Sequence, residues 1–183
     1  ARYYLRKIEL IHPQDAGILR AKGAMEFIYG NVDDAIDFYQ AKLEYDPVSV
    51  NTFKQLGIAY FALGEYELAK DYLTKGLQIS PDNFSSNFYM GLVHLFQDSL
   101  ETAEKYFLAE DFEGYQMMGQ SLVAASLGEL SESDSLIQLL KRNYTSVMPF
   151  QIAEIHAYRK DIDSAFHWLG LAYKYHDGGM AEM

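Results

Sequence analysis

The side chains best suited to acid–base or metal chemistry gather near one end of the chain. His156 and His167 lie 11 residues apart, with Glu154, Asp161 and Asp163 close by. Imidazole and carboxylate groups can shuttle protons or hold a divalent cation when they converge. Their spacing argues against convergence. No HExxH or other ligand pattern links them, and helical periodicity puts the two histidines on different helices. His156 is expected at a core edge and His167 on an outer face, with His12 and His94 isolated and His176 near the chain end. The chain has no cysteine, which removes thiolate nucleophiles, thiolate metal sites and disulfides and leaves the compartment open between cytoplasm and periplasm. No glycine-rich phosphate loop follows a strand, because no strand pattern is present. The expectation is no catalytic residue, no cofactor and no metal: not an enzyme.

Charge narrows the partners. There are 15 basic and 26 acidic residues, for a net charge of −11. Nucleic-acid binders need a basic stripe to displace counterions, and none is present, so nucleic acid is not expected. Acidic residues such as Asp33, Asp34, Glu65, Glu67 and Glu101 read instead as a solvated outer face. No apolar run reaches the 18 or so residues that cross a bilayer, and the N-terminus lacks a signal-peptide pattern.

The elements that carry these residues recur. Glycine falls at Gly23, Gly57 and Gly91, alanine at Ala1, Ala35, Ala69 and Ala103, and proline at Pro13, Pro47 and Pro81, each at a step of 34. A fixed period of this size marks a stacked helical repeat. In residues 50–83, Phe53, Leu56, Gly57 and Tyr60 follow helical spacing; Gly64 ends that helix; Tyr66, Ala69, Leu73 and Leu77 mark a second, and Pro81 stops it. Gly57 and Ala69 stand where larger side chains would hold the two helices apart. The beat then changes. Gly119 follows Gly91 by 28 residues, and Ala153 follows Gly119 by 34. This predicts residues missing near Glu110 to Phe112, at the end of a second helix, with Ser131 or Ser133 in the alanine slot. Because Ala1 already sits mid-period, the chain is expected to be a processed product or a segment of something longer.

The set Phe53, Leu56-Gly57, Tyr60, Gly64, Ala69 and Pro81 resembles the tetratricopeptide repeat. The resemblance covers essentially the whole chain. It implies an all-α, right-handed α-α superhelix of about eleven helices. Residues 1–15 read as the second helix of a truncated repeat. Residues 16–49, 50–83 and 84–111 are regular repeats, the last one shortened; 112–145 is a divergent repeat, and 146–183 a closing repeat with a tail. The stretch from Ile152 through Ala165-Phe166-His167-Trp168 to Gly178-Gly179 is similar to the closing repeat of bacterial multidomain regulators carrying cyclase, kinase or winged-helix domains.

By the same resemblance, the first helices line a concave groove. With Gly57 counted as the eighth place of its repeat, the fifth, ninth and twelfth places face that groove. Arg20, Ala24 and Phe27; Lys54, Ile58 and Phe61; and Phe88, Leu92 and Leu95 occupy them, followed by Gln116, Gln120 and Val123 and then Phe150, Glu154 and Ala157. The groove would be apolar and aromatic at its middle, basic at one edge, and suited to a partner's peptide or helix. Ala24 and Ile58 stand where arrays that clamp chaperone tails carry polar residues, so chaperone-tail binding is not expected. The alternative is a regulatory or oligomerisation domain of a larger bacterial signalling or transcription protein. A homodimer through the truncated N-terminal end, with Tyr4, Leu5 and Ile8 as its apolar surface, is one form of it.

Overall fold

The computed structural model describes residues 2–11 and 16–179. Among them it is all-α, with eleven helices: α1 (Arg2–Ile11), α2 (Ala16–Ile28), α3 (Val32–Tyr45), α4 (Val50–Ala62), α5 (Tyr66–Ile79), α6 (Ser86–Phe96), α7 (Leu100–Leu108), α8 (Glu113–Ser126), α9 (Leu130–Tyr144), α10 (Pro149–Tyr158) and α11 (Ile162–Tyr175). Ala1, His12, Pro13 and the side chains of Tyr4 and Ile8 lie outside the described residues.

The helices pair in sequence, α2 with α3, α4 with α5, α8 with α9 and α10 with α11. One turn serves every pair. Gly30, Gly64, Asp98, Gly128 and Lys160 all take left-handed backbone angles. Each donates its N–H three residues back, to the carbonyls of Phe27, Phe61, Leu95, Ala125 and Ala157. The residues that follow, Asn31, Glu65, Ser99, Glu129 and Asp161, donate five residues back. This is the double hydrogen bond of a Schellman ending, which satisfies helix-terminal carbonyls and reverses the chain within two residues.

Those turns give the register of the repeats. Their separations are 34, 34, 30 and 32 residues, from 30 to 64, 98, 128 and 160. Seven residues before each turn stands the residue at the helix crossing: Gly23, Gly57, Gly91, Ser121 and Ala153. Twelve beyond that stands its buried counterpart: Ala35, Ala69, Ala103, Ser133 and Ala165. The crossing of residues 112–145 is therefore Ser121 with Ser133, and the register there runs two residues later than Gly119 suggested. Ser121 and Ser133 are fully buried, and their hydroxyls share a hydrogen bond of 2.9 Å. Two short polar side chains thus do what glycine and alanine do elsewhere, at the cost of needing each other as partners.

The chain divides into two compact units, Ala1–Ser86 and Asn87–Met183. In the first, Ala35, Ile36, Tyr39, Leu56 and Ala59 form the core, with Phe27, Val32, Leu43, Tyr60 and Tyr72 packed on it. Glycine makes room for bulk: a Cβ on Gly23 would lie 2.5 Å from Tyr39 Cε1, and one on Gly57 2.5 Å from Leu73 Cγ. Burial of the Tyr39 hydroxyl, which has no hydrogen-bond partner, pushes its pKa up to about 12. α3 and α5 each run 14 residues and stop two short of Pro47 and Pro81, whose rings cannot continue a helix.

The second unit has a larger core, running from Phe88 and Leu95 on α6 to Trp168 on α11. α7 has only nine residues. Its Phe107 is fully buried between two glycines, Gly91 of α6 and Gly119 of α8; a Cβ on the first would lie 2.5 Å from the ring, and one on the second closer still. Gly119 thus accommodates the preceding repeat's second helix rather than its own, which is why it keeps a small residue without marking the crossing.

Candidate functional site

The face expected to bind a partner behaves differently in the two units. On α2, Arg20 is exposed, while Ala24 and Phe27 are half-buried; on α4, Lys54, Ile58 and Phe61 are half-buried. The Lys54 ammonium donates to the Phe84 carbonyl at 2.9 Å and sits 5.8 Å from the Phe84 ring centre. Phe61 leans on Tyr66, with ring centres 6.0 Å apart. Gln40, Tyr60 and Tyr72 stand beside this face: the Gln40 amide donates to the Tyr60 hydroxyl at 3.2 Å, and the two tyrosine rings stack at 5.4 Å. Burial, with Tyr72 next in weight, raises the Tyr60 pKa above its ordinary value.

The equivalent places in the second unit are largely filled. Phe88 and Leu95 lie in the core, with Leu92 partly buried against it. The Phe88 ring stacks on Tyr115 at 4.6 Å and tilts against Phe107 at 5.7 Å. Register moves the next pair. Gln116 and Gln120 hold the third and seventh places of their repeat, whereas Met118 and Leu122, the true fifth and ninth, are buried in the core. The Gln116 amide donates to the Glu110 carbonyl. Phe150 is buried, and a Cβ on Gly179 would lie 2.5 Å from its ring, so the chain after α11 folds back onto α10. Glu154 is exposed.

Two carboxylates that the motif reading passed over organise this second unit. Glu110 is buried, and its Oε2 accepts the Phe88 N–H at 3.1 Å. Asp177 Oδ2 accepts the Phe150 N–H at 3.1 Å, and its Oδ1 that of Gly179 at 2.9 Å. Each acid lies just beyond the second helix of its repeat and meets the positive, donor-rich start of the first. The legible signal was the absence of proline there, at the place that Pro47 and Pro81 hold in the earlier repeats.

The histidines separate as expected: His156 is buried and His167 exposed on the next helix. His156 Nδ1 lies 3.0 Å from Asp161 Oδ2, and its Nε2 is buried without a partner. Desolvation, then the Lys141 charge, lowers the His156 pKa against the opposing pull of Asp161. Asp161 also caps α11, accepting the Ser164 N–H at 3.2 Å. Hydrogen bonding from the Ser164 side chain first, and from its N–H next, lowers the Asp161 pKa. Among the described residues no three His, Asp or Glu side chains converge as a metal site, and no helix is long and apolar enough to cross a membrane.

Residues 50–83 match the family model of the tetratricopeptide repeat. These residues are a tetratricopeptide repeat, and the described chain has the all-α repeat fold of solved TPR proteins. A TPR repeat-containing protein of Borreliella burgdorferi is 31% identical over 69 residues, which is 38% of this chain and 28% of that protein. The chain spans less than a third of the length of the curated relatives it matches. The solved structure of a tetratricopeptide repeat protein from Parabacteroides merdae superposes with a TM-score of 0.65 at 16% identity, covering 93% of this chain and 70% of that one. YrrB, described as a TPR protein with an unusual peptide-binding site, gives 0.58 at 18% identity over 97% and 95% of the two chains. Identities this low carry the fold alone. TPR proteins are typically scaffolds for protein interaction rather than enzymes.

Proposed function

We infer that this protein is a scaffold that holds an extended peptide or amphipathic helix of a partner on the first-helix face of residues 16–86. One observation carries the reading: the groove places there are not filled, with Arg20 exposed and Phe27, Lys54, Ile58 and Phe61 half-buried, and they combine apolar area with a basic edge. An apolar anchor flanked by an acidic group fits that surface, the first gaining burial and the second the exposed Arg20 guanidinium. The peptide-binding site of YrrB, a TPR protein of similar fold, supports the same class of ligand. In the second unit Leu92 and Glu154 remain as rim positions, while Phe88, Leu95 and Phe150 serve the interior.

Selection from a random-peptide display library tests this. Enriched peptides should bind the wild type, lose binding with Ile58→Glu, and weaken with Arg20→Ala. Peptides that bind Ile58→Glu as well as wild type, with its melting curve unchanged, would show that the face is misassigned. A second reading is self-association through α1, favoured by the exposure of Tyr3, Leu10 and Ile11. Loss of self-association on Leu10→Glu checks it.

A further inference from the structure

α11 presents an apolar strip that nothing in the described chain covers. At 100° per residue Ile162, Phe166 and Tyr173 fall within about 40° of one another, and they are 64%, 70% and 73% exposed. Ala165, Trp168 and Ala172, on a different side of the helix, supply its buried contacts. The same repeat places on α3 are Val32, Ile36 and Leu43; there α4 packs alongside, and all three belong to the core or lie against it. On α3 a following helix thus covers this strip, and α11 has no following helix in the described residues.

Two further features say what fits it. Gly170 lies mid-helix beside the strip, and a Cβ added to it would meet nothing within 4 Å. Gly23, Gly57 and Gly91 each receive a neighbour's side chain, whereas Gly170 weakens its helix with no use inside the chain. Asp163 and Lys174 are both exposed and flank the strip on the same side as Gly170. They stand six residues before and five after Leu169; Phe166 and Tyr173 stand three before and four after it.

We propose that α11 pairs antiparallel with α11 of a second copy, about a two-fold axis near Leu169 and Gly170. The arrangement is self-complementary, as an isologous contact must be. Phe166 of each copy lies against Tyr173 of the other, Gly170 lets the helix axes approach at the crossing, and Asp163 of each copy faces Lys174 of the other. One helix supplies both charges at matched distances from the axis, which is the complementarity a second copy needs. This surface is separate from the peptide-binding face of residues 16–86, and neither reading depends on the other.

Sedimentation equilibrium at ~0.15 M salt, where the repulsion of net-negative copies is screened, tests the pairing. The wild type should be a concentration-dependent dimer. Phe166→Glu should be monomeric with its melting curve and Trp168 fluorescence unchanged. Asp163→Lys should weaken the dimer, since two lysines then face each other, and Asp163→Lys with Lys174→Asp should restore it. A monomeric wild type, a dimer that survives Phe166→Glu, or a charge reversal that the double exchange does not rescue would each overturn the proposal.

Discussion

The two units use one turn and one pairing rule, yet the first-helix face of residues 16–86 is only partly covered while that of residues 87–179 is largely filled. The difference traces to α7. It has nine residues where α3 and α5 have 14, and its Phe107 reaches glycines on both α6 and α8. In the second unit Phe88, Leu95, Met118 and Leu122 become interior, although they hold the same places as Lys54, Phe61 and Ile58 on α4. Repeat identity therefore sets which way a side chain points. The neighbouring helices decide whether that direction meets solvent or protein, as where the short α7 brings Phe107 against both α6 and α8.

The largest test falls on that helix. Phe107→Ala should cost about 3–5 kcal/mol, because it empties a fully enclosed ring site that glycines on two helices were shaped to hold. The chain's single tryptophan, Trp168, lies in the same core, so its fluorescence reads the second unit. Urea unfolding should show a lower Trp168 midpoint. Leu73→Ala, about 2–5 kcal/mol, should act on the helicity of the first unit. A Trp168 midpoint untouched by Phe107→Ala would break the account of why the second unit is closed.

The serine crossing gives the next effect. Ser121→Ala leaves the buried Ser133 hydroxyl short of a partner and should cost about 1–3 kcal/mol. Ser121→Ala with Ser133→Ala should cost clearly less than the sum of the two single changes, since neither hydroxyl is then stranded. Additive costs in a double-mutant cycle would mean that the pair is incidental. The Arg159 guanidinium, 3.3 Å from Ser133 Oγ, makes the Ser133→Ala arm the heavier one.

Acid should separate the units further. The eleventh place of α2 is Glu26, which accepts from Asn31 at 2.7 Å; in α10 it is His156, paired with Asp161 across the equivalent turn. Burial lowers the His156 pKa below its ordinary 6.5 in the folded chain. The unfolded chain therefore binds the proton more tightly, so stability is complete above about pH 6.5 and falls as pH drops through the folded value. The Asp161 pKa is also lowered, and its contribution is lost only below the ordinary carboxylate range. The Trp168 midpoint should decline as pH falls below about 6.5, and His156→Gln should flatten that decline. An equal decline in the variant would remove His156 as its source.

Much of this architecture was legible because close helix crossings demand small side chains, and Gly23, Gly57, Gly91 and their alanine partners show that demand as a period. In the divergent repeat Ser133 is one of the two serines expected in the alanine slot, but Gly119 points two residues early, because Ser121 meets the demand for a small side chain with a hydrogen bond and Gly119 is small for another reason. Gly128 was the better marker, since a left-handed turn tolerates few alternatives. For the groove the limit was different. Phe61 and Leu95 hold the same repeat place and are both apolar, and only the packing around them leaves the first half-buried and puts the second in the core.

The smallest effect concerns the turns themselves. At the turns inside the helix pairs the first unit has glycine, Gly30 and Gly64, with φ of 79° and 76°; the second has Asp98, Gly128 and Lys160, with Lys160 at φ 61°. A side chain in that region crowds its own carbonyl, a cost of roughly 1–2 kcal/mol that glycine does not bear. Lys160 is exposed. Lys160→Gly should therefore stabilise the second unit by up to about 1 kcal/mol, the remainder going to the greater freedom of glycine in the unfolded chain. Gly64→Ala should destabilise the first unit by a similar amount. Opposite signs from the two substitutions, read by Trp168 fluorescence and by helicity, would show one turn carried by two chemistries. A destabilised Lys160→Gly would mean that the lysine stem shields the end of α10 and that the shared backbone hides a real difference between the units.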